Sequence, residues 1–141
     1  MSCKRRLLLI AVLLIDGLWL QLHAEEAPAA PVPVVRYVEL KPTFITNFGV
    51  ADSGHLRYVK ADVTVRVSNK EAEYAARYHL PALRDSLVLL LARQDDSTIS
   101  STAGRETIKA EALVELRAIL EREEGDPSID DLMFTNFIVQ R

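Results

Sequence analysis

A single cysteine occurs in the 141 residues, and it stands at position 3, ahead of the first apolar run. Cys3 has no partner for an intramolecular disulfide, and it lies on the wrong side of that run for lipid attachment. Whatever folds beyond residue 24 therefore relies on its hydrophobic core alone. Histidine is equally sparse. His23, His55 and His79 lie far apart, and no histidine or carboxylate cluster has metal-ligand spacing. Asp95-Asp96 lacks the alternating oxygen ligands and the later glutamate of a calcium loop. The glycines Gly17, Gly49, Gly54, Gly104 and Gly125 are isolated, so no loop is built to cradle a phosphate. Asp85, Ser86 and His79 supply the residue types of a catalytic triad, yet Ser86 falls within a helical pattern rather than at a strained strand-to-helix turn. No internal repeat is present. These absences point away from an enzyme and from any cofactor or metal.

The N-terminus carries a targeting pattern. Lys4-Arg5-Arg6 precedes the unbroken apolar run from Leu7 to Ile15, which Asp16-Gly17 interrupts before Leu18-Trp19-Leu20. One reading is a secretory signal peptide ending at Leu22-His23-Ala24, with a mature start near Glu25. The other is a short uncleaved anchor whose basic end stays in the cytoplasm. The run is shorter than the ~20 residues of a comfortable span, and Asp16 would cost about 2.5–3.5 kcal/mol near a bilayer centre. Both readings of residues 1–24 place the remainder outside the cytoplasm. Residues 25–35, with Pro28, Pro31 and Pro33 among alanines, read as a semi-rigid extended spacer. From residue 25 onward 14 Lys+Arg face 19 Asp+Glu, because the leader holds Lys4, Arg5 and Arg6 against Asp16 alone. That acidic balance argues against nucleic acid as a partner.

Residues 36–141 read as one α+β domain in β-β-α-α-β order: an antiparallel sheet with helices packed on one face. Arg36 to Phe48 alternates, with Val38, Leu40, Phe44 and Phe48 on one face, and Pro42 marks an edge strand or a bulge. Gly49 to Gly54 is a turn. From Leu56 to Val67, Val59, Ala61, Val63, Val65 and Val67 line one face and Tyr58, Lys60, Asp62, Thr64 and Arg66 the other. Ser68 and Glu71 have capping-box spacing ahead of a helix bearing Ala72, Ala75, Ala76 and His79. That helix should break before Pro81 and restart. The restarted helix places Leu80, Leu83, Leu87, Leu90 and Leu91 within one stripe. Val59, Val63 and Val65 are expected to pack on Leu83, Leu87 and Leu90. Arg93 to Thr102 reads as a polar loop ending in N-cap residues. A long helix over 103–123 carries Ile108, Ala112, Leu116, Ile119 and Leu120, and Gly125-Asp126-Pro127 stops it. The last strand, Ile129 to Gln140, is apolar on both faces, with Leu132, Phe134 and Ile138 against Met133, Phe137 and Val139. Such a strand is expected at the centre of a sheet, or covered on one side by a partner.

Several segments also resemble a known family. They are Arg36-Tyr37-Val38-Glu39-Leu40-Lys41-Pro42-Thr43-Phe44-Ile45-Thr46-Asn47-Phe48, Arg57-Tyr58-Val59-Lys60, Leu80-Pro81-Ala82-Leu83-Arg84-Asp85, Thr98-Ile99-Ser100-Ser101 with Gly104-Arg105-Glu106, and Phe134-Thr135-Asn136-Phe137-Ile138-Val139-Gln140. In order and spacing they resemble the flagellar basal-body-associated FliL family. That resemblance implies a non-enzymatic inner-membrane protein whose periplasmic domain is similar to stomatin-type domains. It implies self-association into a ring, and stator and basal-body proteins as partners in flagellar rotation and motility. The front of the chain departs from the family, whose members carry a longer uninterrupted span. An exported module binding a small ligand or a protein, unrelated to the motor, is the alternative.

The residues themselves suggest where contacts form. Leu89 points away from the leucine stripe, flanked by Val88, and Phe134 and Phe137 are expected on opposite faces of the last strand. Val88, Leu89, Phe134 and Phe137 are therefore the candidate interface. In a ring, two different patches would meet.

Overall fold

The computed structural model describes residues 34–49, 56–126 and 129–141. The leader, residues 25–33 of the spacer and most of the expected 49–54 turn lie outside the described residues. The elements are β1 (Arg36–Glu39), β2 (Phe44–Asn47), β3 (Tyr58–Val67), α1 (Lys70–Tyr78), α2 (Leu80–Ala92), α3 (Asp96–Ser100), α4 (Thr102–Glu124) and β4 (Ile129–Gln140).

The ten-residue β3 is the centre of the sheet. β1 and β2 lie in line along one side of it, Val38 opposite Val65 and Phe44 opposite Ala61, and β4 runs antiparallel along the other. Pro42 therefore splits one edge strand into two, as a residue without an N–H does in a ladder. The helices cover one face, with α1 over β1, α2 over β2 and α4 over β4. Val38, Leu40, Phe44 and Phe48 are all buried, as the alternation requires, together with the odd-numbered residues Val59 to Val67. Leu83, Leu87, Leu90 and Leu91 join them in one continuous core, while Leu80 is half-buried. Each fully buried leucine contributes roughly 1.5–3 kcal/mol. The leucine helix meets the half-strand β2, and the valines of β3 and the leucines share one core.

Several local expectations are corrected. Asn69, not Ser68, caps α1: its Oδ1 accepts from the Ala72 N–H at 2.7 Å, while Ser68 Oγ donates to Asp130 at 3.3 Å. The polar stretch after Arg93 contains a helical turn, α3, because Asp95 Oδ1 accepts from the Thr98 N–H at 2.7 Å and Ile99 is fully buried. Ser101 then caps α4, accepting from the Gly104 N–H at 3.0 Å, and Gly125 ends it at φ 75°.

The largest correction concerns β4, which among the described residues is an edge strand paired with β3 alone. It carries two extra residues relative to β3: Asp130, between the Val67↔Ile129 and Arg66↔Asp131 pairs, and Thr135, between Val63↔Phe134 and Asp62↔Asn136. Each bulge resets the alternation by one. Ile129, Leu132, Phe134, Phe137 and Val139 consequently all turn towards the helices, and Phe134 meets Phe137 edge to face at 5.1 Å between ring centres. The two rings do not lie on opposite faces.

Candidate protein-interaction site

The polar residues with catalytic or metal-binding types are engaged elsewhere. Ser86 Oγ donates to Glu115 Oε2 at 2.7 Å, and His79 Nε2 lies 2.6 Å from Glu124 Oε1, with its ring edge-on to Tyr78. Asp95 caps α3, and Asp96 meets Arg141 Nε at 3.2 Å. Among the described residues no three His, Cys, Asp or Glu side chains converge on a common point.

The connection between β1 and β2 is held from the helix layer. Arg84, on the first turns of α2, donates through Nη1 to the carbonyls of Leu40 and Pro42, and its guanidinium lies 4.1 Å from the centre of the Phe44 ring. A hollow of about 590 Å³ opens beside this connection, lined by Glu39, Lys41, Thr43, Asp62, Thr64 and Thr135 among others. The Thr43 hydroxyl donates to Asp62 at 2.6 Å and, with a bond from Asn136 and the nearby Lys60 and Lys41, holds that carboxyl below its ordinary range against the opposing effect of burial. Two segments of the resemblance, around Lys41-Pro42 and Leu80–Asp85, are thus one physical unit.

A third segment has an equally physical reason. The Thr98 carbonyl oxygen stands 1.9 Å from where a Cβ on Gly104 would be, so only glycine lets α3 and α4 meet at this angle. The residue after it, Arg105, donates to Thr102 Oγ1 at 3.3 Å and places its guanidinium 5.8 Å from the centre of Phe137. Sequence reasoning singled out neither Arg84 nor Arg105, although both fall inside the quoted segments.

Of the four candidate interface residues, Leu89 is 58% exposed on the outer side of α2, and Val88 is half-buried against the core. Phe134 and Phe137 are half-buried at the open side of β4. The structure groups the first pair on the helix layer and the second on the sheet edge. The start of β4 is covered: Arg117 donates to the carbonyls of Ile129 and Asp130 at 2.7 and 2.8 Å, and Lys109 meets Asp131 at 3.1 Å. Burial alone would push the Asp131 carboxyl up, but Lys109 and the Leu132 N–H outweigh it and keep it low. From Leu132 to Gln140 the edge has no charged residue.

The polar groups named above thus serve as caps, struts and clamps within one α+β domain. The family model described as "Flagellar basal body-associated protein FliL" matches residues 37–140, and the chain belongs to that family. It is 28% identical over 111 residues to the flagellar protein FliL of Aquifex aeolicus (strain VF5), covering 79% of this chain and 65% of that protein. It is likewise 28% identical over 98 residues to flagellar protein FliL of Escherichia coli (strain K12) and of Shigella flexneri, covering 70% of this chain and 61% of each relative. The alignments thus span under two-thirds of the length of these relatives. The family is one of flagellar basal-body-associated proteins. Among the described residues no helix is long and apolar enough to cross a membrane.

Proposed function

We propose that this protein is a non-enzymatic periplasmic support for the stator units of the flagellar motor, contributing to rotation and motility. It is held at the inner membrane by residues 1–24 if they are uncleaved and is periplasmic if they are removed. Residues 25–35 act as the spacer, and 36–141 as the working domain. The observation that carries this reading is the family match across residues 37–140, which takes in nearly all of that domain. Contact, not turnover, is its mode of action. Leu89 with Val88 serves lateral association between copies into a ring, and Phe134 with Phe137 serves contact with a stator or basal-body protein. A large apolar side chain left in water on a helix otherwise docked by its opposite stripe supports the first assignment. A stretch of edge strand from Leu132 to Gln140 without charged residues supports the second.

The test is Leu89→Lys in the full-length chain. Folding should be unchanged, because the side chain already faces solvent, while chemical cross-linking in membranes loses the higher oligomers and swarming weakens. Intact oligomers and normal swarming in Leu89→Lys would remove this assignment.

A further inference from the structure

We propose that the hollow on the open face of the sheet, lined by Thr64, Asp62, Thr43, Thr135, Lys41 and Glu39, is a binding site for a neutral saccharide. It shares no residue with the Val88–Leu89 or Phe134–Phe137 pairs, so it stands or falls independently of the stator reading.

Thr64 carries this inference furthest. On β3 the odd-numbered residues Val59 to Val67 are buried in the core, so Thr64 belongs to the face turned away from the helices. It is nevertheless only 8% exposed. A threonine enclosed to that degree ordinarily bonds through its hydroxyl. This one bonds through its side chain to no group among the described residues. Among those residues the sealed polar side-chain atom without a partner is Arg36 Nε, so the Thr64 oxygen is not sealed and opens onto the hollow that the residue lines. Its donor and its lone pairs are therefore free for a ligand.

Two irregularities of the sheet create the hollow, and they meet at the same point of β3. On one side the ladder stops at Glu39↔Thr64 and resumes at Phe44↔Ala61, because Pro42 divides the edge strand. On the other side Thr135 is the extra residue between the pairs Val63↔Phe134 and Asp62↔Asn136. Bulges re-aim side chains and are over-represented next to active sites; this one brings Thr135 to the wall of the hollow. Arg84 holds the connection across Pro42 through the Leu40 and Pro42 carbonyls, so that wall is set before anything binds. At about 590 Å³ the hollow falls within the range of ordinary ligand sites.

The lining selects the ligand class. The carboxylates of Glu39 and Asp62 are balanced by Lys41, paired with Glu39, and by Lys60 near Asp62. That balance favours neither an anion nor a cation. What remains is a concentration of oxygens. Thr43 donates to Asp62 at 2.6 Å and Thr135 to the Asp62 carbonyl at 3.4 Å, so both threonine oxygens keep lone pairs for an incoming donor. Asp62 has acceptor capacity beyond the bond from Thr43, and Thr64 can give and accept at once. The matching ligand is neutral, with polar groups that each donate and accept, as the hydroxyls of a sugar do. Pro42, also on the lining, offers an apolar surface for the C–H side of a sugar ring.

The test is NMR on the full-length chain, in a detergent without a sugar headgroup, titrated with glucose, galactose, N-acetylglucosamine and the linear tetramer of the last. At least one of them should bind at millimolar to tens of millimolar concentration, with amide shifts centred on Thr43, Asp62, Thr64 and Thr135. Equal affinity for single sugars and the tetramer identifies a free saccharide as the ligand, and a gain of about tenfold or more for the tetramer identifies a glycan chain. Thr64→Val should leave the thermal unfolding of the free chain unchanged or raised, since the hydroxyl has no protein partner to lose, yet weaken saccharide binding about fivefold. Thr64→Ser, which keeps the hydroxyl, should bind within about twofold of the unaltered chain. The proposal is overturned by the absence of saccharide binding at tens of millimolar, by shifts centred elsewhere, or by tighter binding of acetate or methylammonium than of any saccharide. Unaltered saccharide binding by Thr64→Val would overturn it as well, and so would a marked loss of stability in that variant, since the hydroxyl would then serve the fold.

Discussion

Replacing Arg84 by methionine removes the guanidinium that ties α2 to the connection between β1 and β2, while keeping an apolar stem of similar reach. In the folded protein Nη1 donates to two backbone carbonyls, those of Leu40 and Pro42, and the planar group covers the Phe44 ring at 4.1 Å. A hydrogen bond to a charged group contributes about 1.5–3 kcal/mol, and a partly desolvated cation–π contact about 0.5–2 kcal/mol. The group is only half-buried, so water replaces part of what is lost and the lower ends of these ranges apply. Release of the ordered side chain returns about 1 kcal/mol of entropy. The net expectation is a loss of about 2–3 kcal/mol. With a urea slope of about 1–2 kcal/mol per molar for a domain of this size, the midpoint should fall by roughly 1–3 M without a change of slope. Arg84→Lys should lie between, because an ammonium retains the charge but has no plane to lay on the ring. A midpoint shift below about 0.3 M for Arg84→Met would refute the reasoning and reduce Arg84 to a surface cation.

Other outcomes follow from particular contacts. Gly104→Ala should lower stability by about 2–4 kcal/mol, since its methyl would meet the Thr98 carbonyl at 1.9 Å and α3 would have to part from α4; thermal unfolding reads this as a drop of roughly 10 °C or more. Leu87→Asp places an unpaired carboxylate in the fully buried stripe and should cost about 3–5 kcal/mol, leaving no cooperative transition in calorimetry. Asp95 is held below its ordinary pKa by the Ser97 hydroxyl first and the Thr98 N–H next, so its contribution is complete above the unfolded carboxylate pKa and is lost as pH falls through the lower folded value. Asp95→Asn should therefore flatten the acid limb of a melting-temperature profile while leaving the α3 cap largely in place.

The helices and strands were legible wherever a single period ran unbroken. The alternation of Val38, Leu40, Phe44 and Phe48, the valines of β3 and the leucine stripe of α2 all correspond to buried faces, because burial on one side imposes that spacing. β4 was misread for the converse reason. Its bulges at Asp130 and Thr135 shift the period, and a count by twos across Thr135 puts Phe134 and Phe137 on opposite faces when both turn to the helices. Neither bulge residue is a glycine, so nothing local marks it. Strand order was illegible too: β4 has the apolar composition of a central strand, yet β3 holds the centre. The cap at Asn69 was displaced by one residue because Ser68 and Asn69 are both competent acceptors. At the candidate site, Leu89 stood out by its angle on the helix, while Arg84 and Arg105 act through contacts with residues distant in sequence, which spacing cannot reveal.

The central claim, support of stator units by contact, is tested most directly by counting torque-generating units in a bead assay at high load. The host would lack its own FliL protein and carry either the full-length chain or its Leu89→Lys variant. The account predicts that the chain restores the number of engaged units and that Leu89→Lys, equally abundant and folded, does not. An unchanged number of units in the deletion strain, or full restoration by Leu89→Lys, would contradict it.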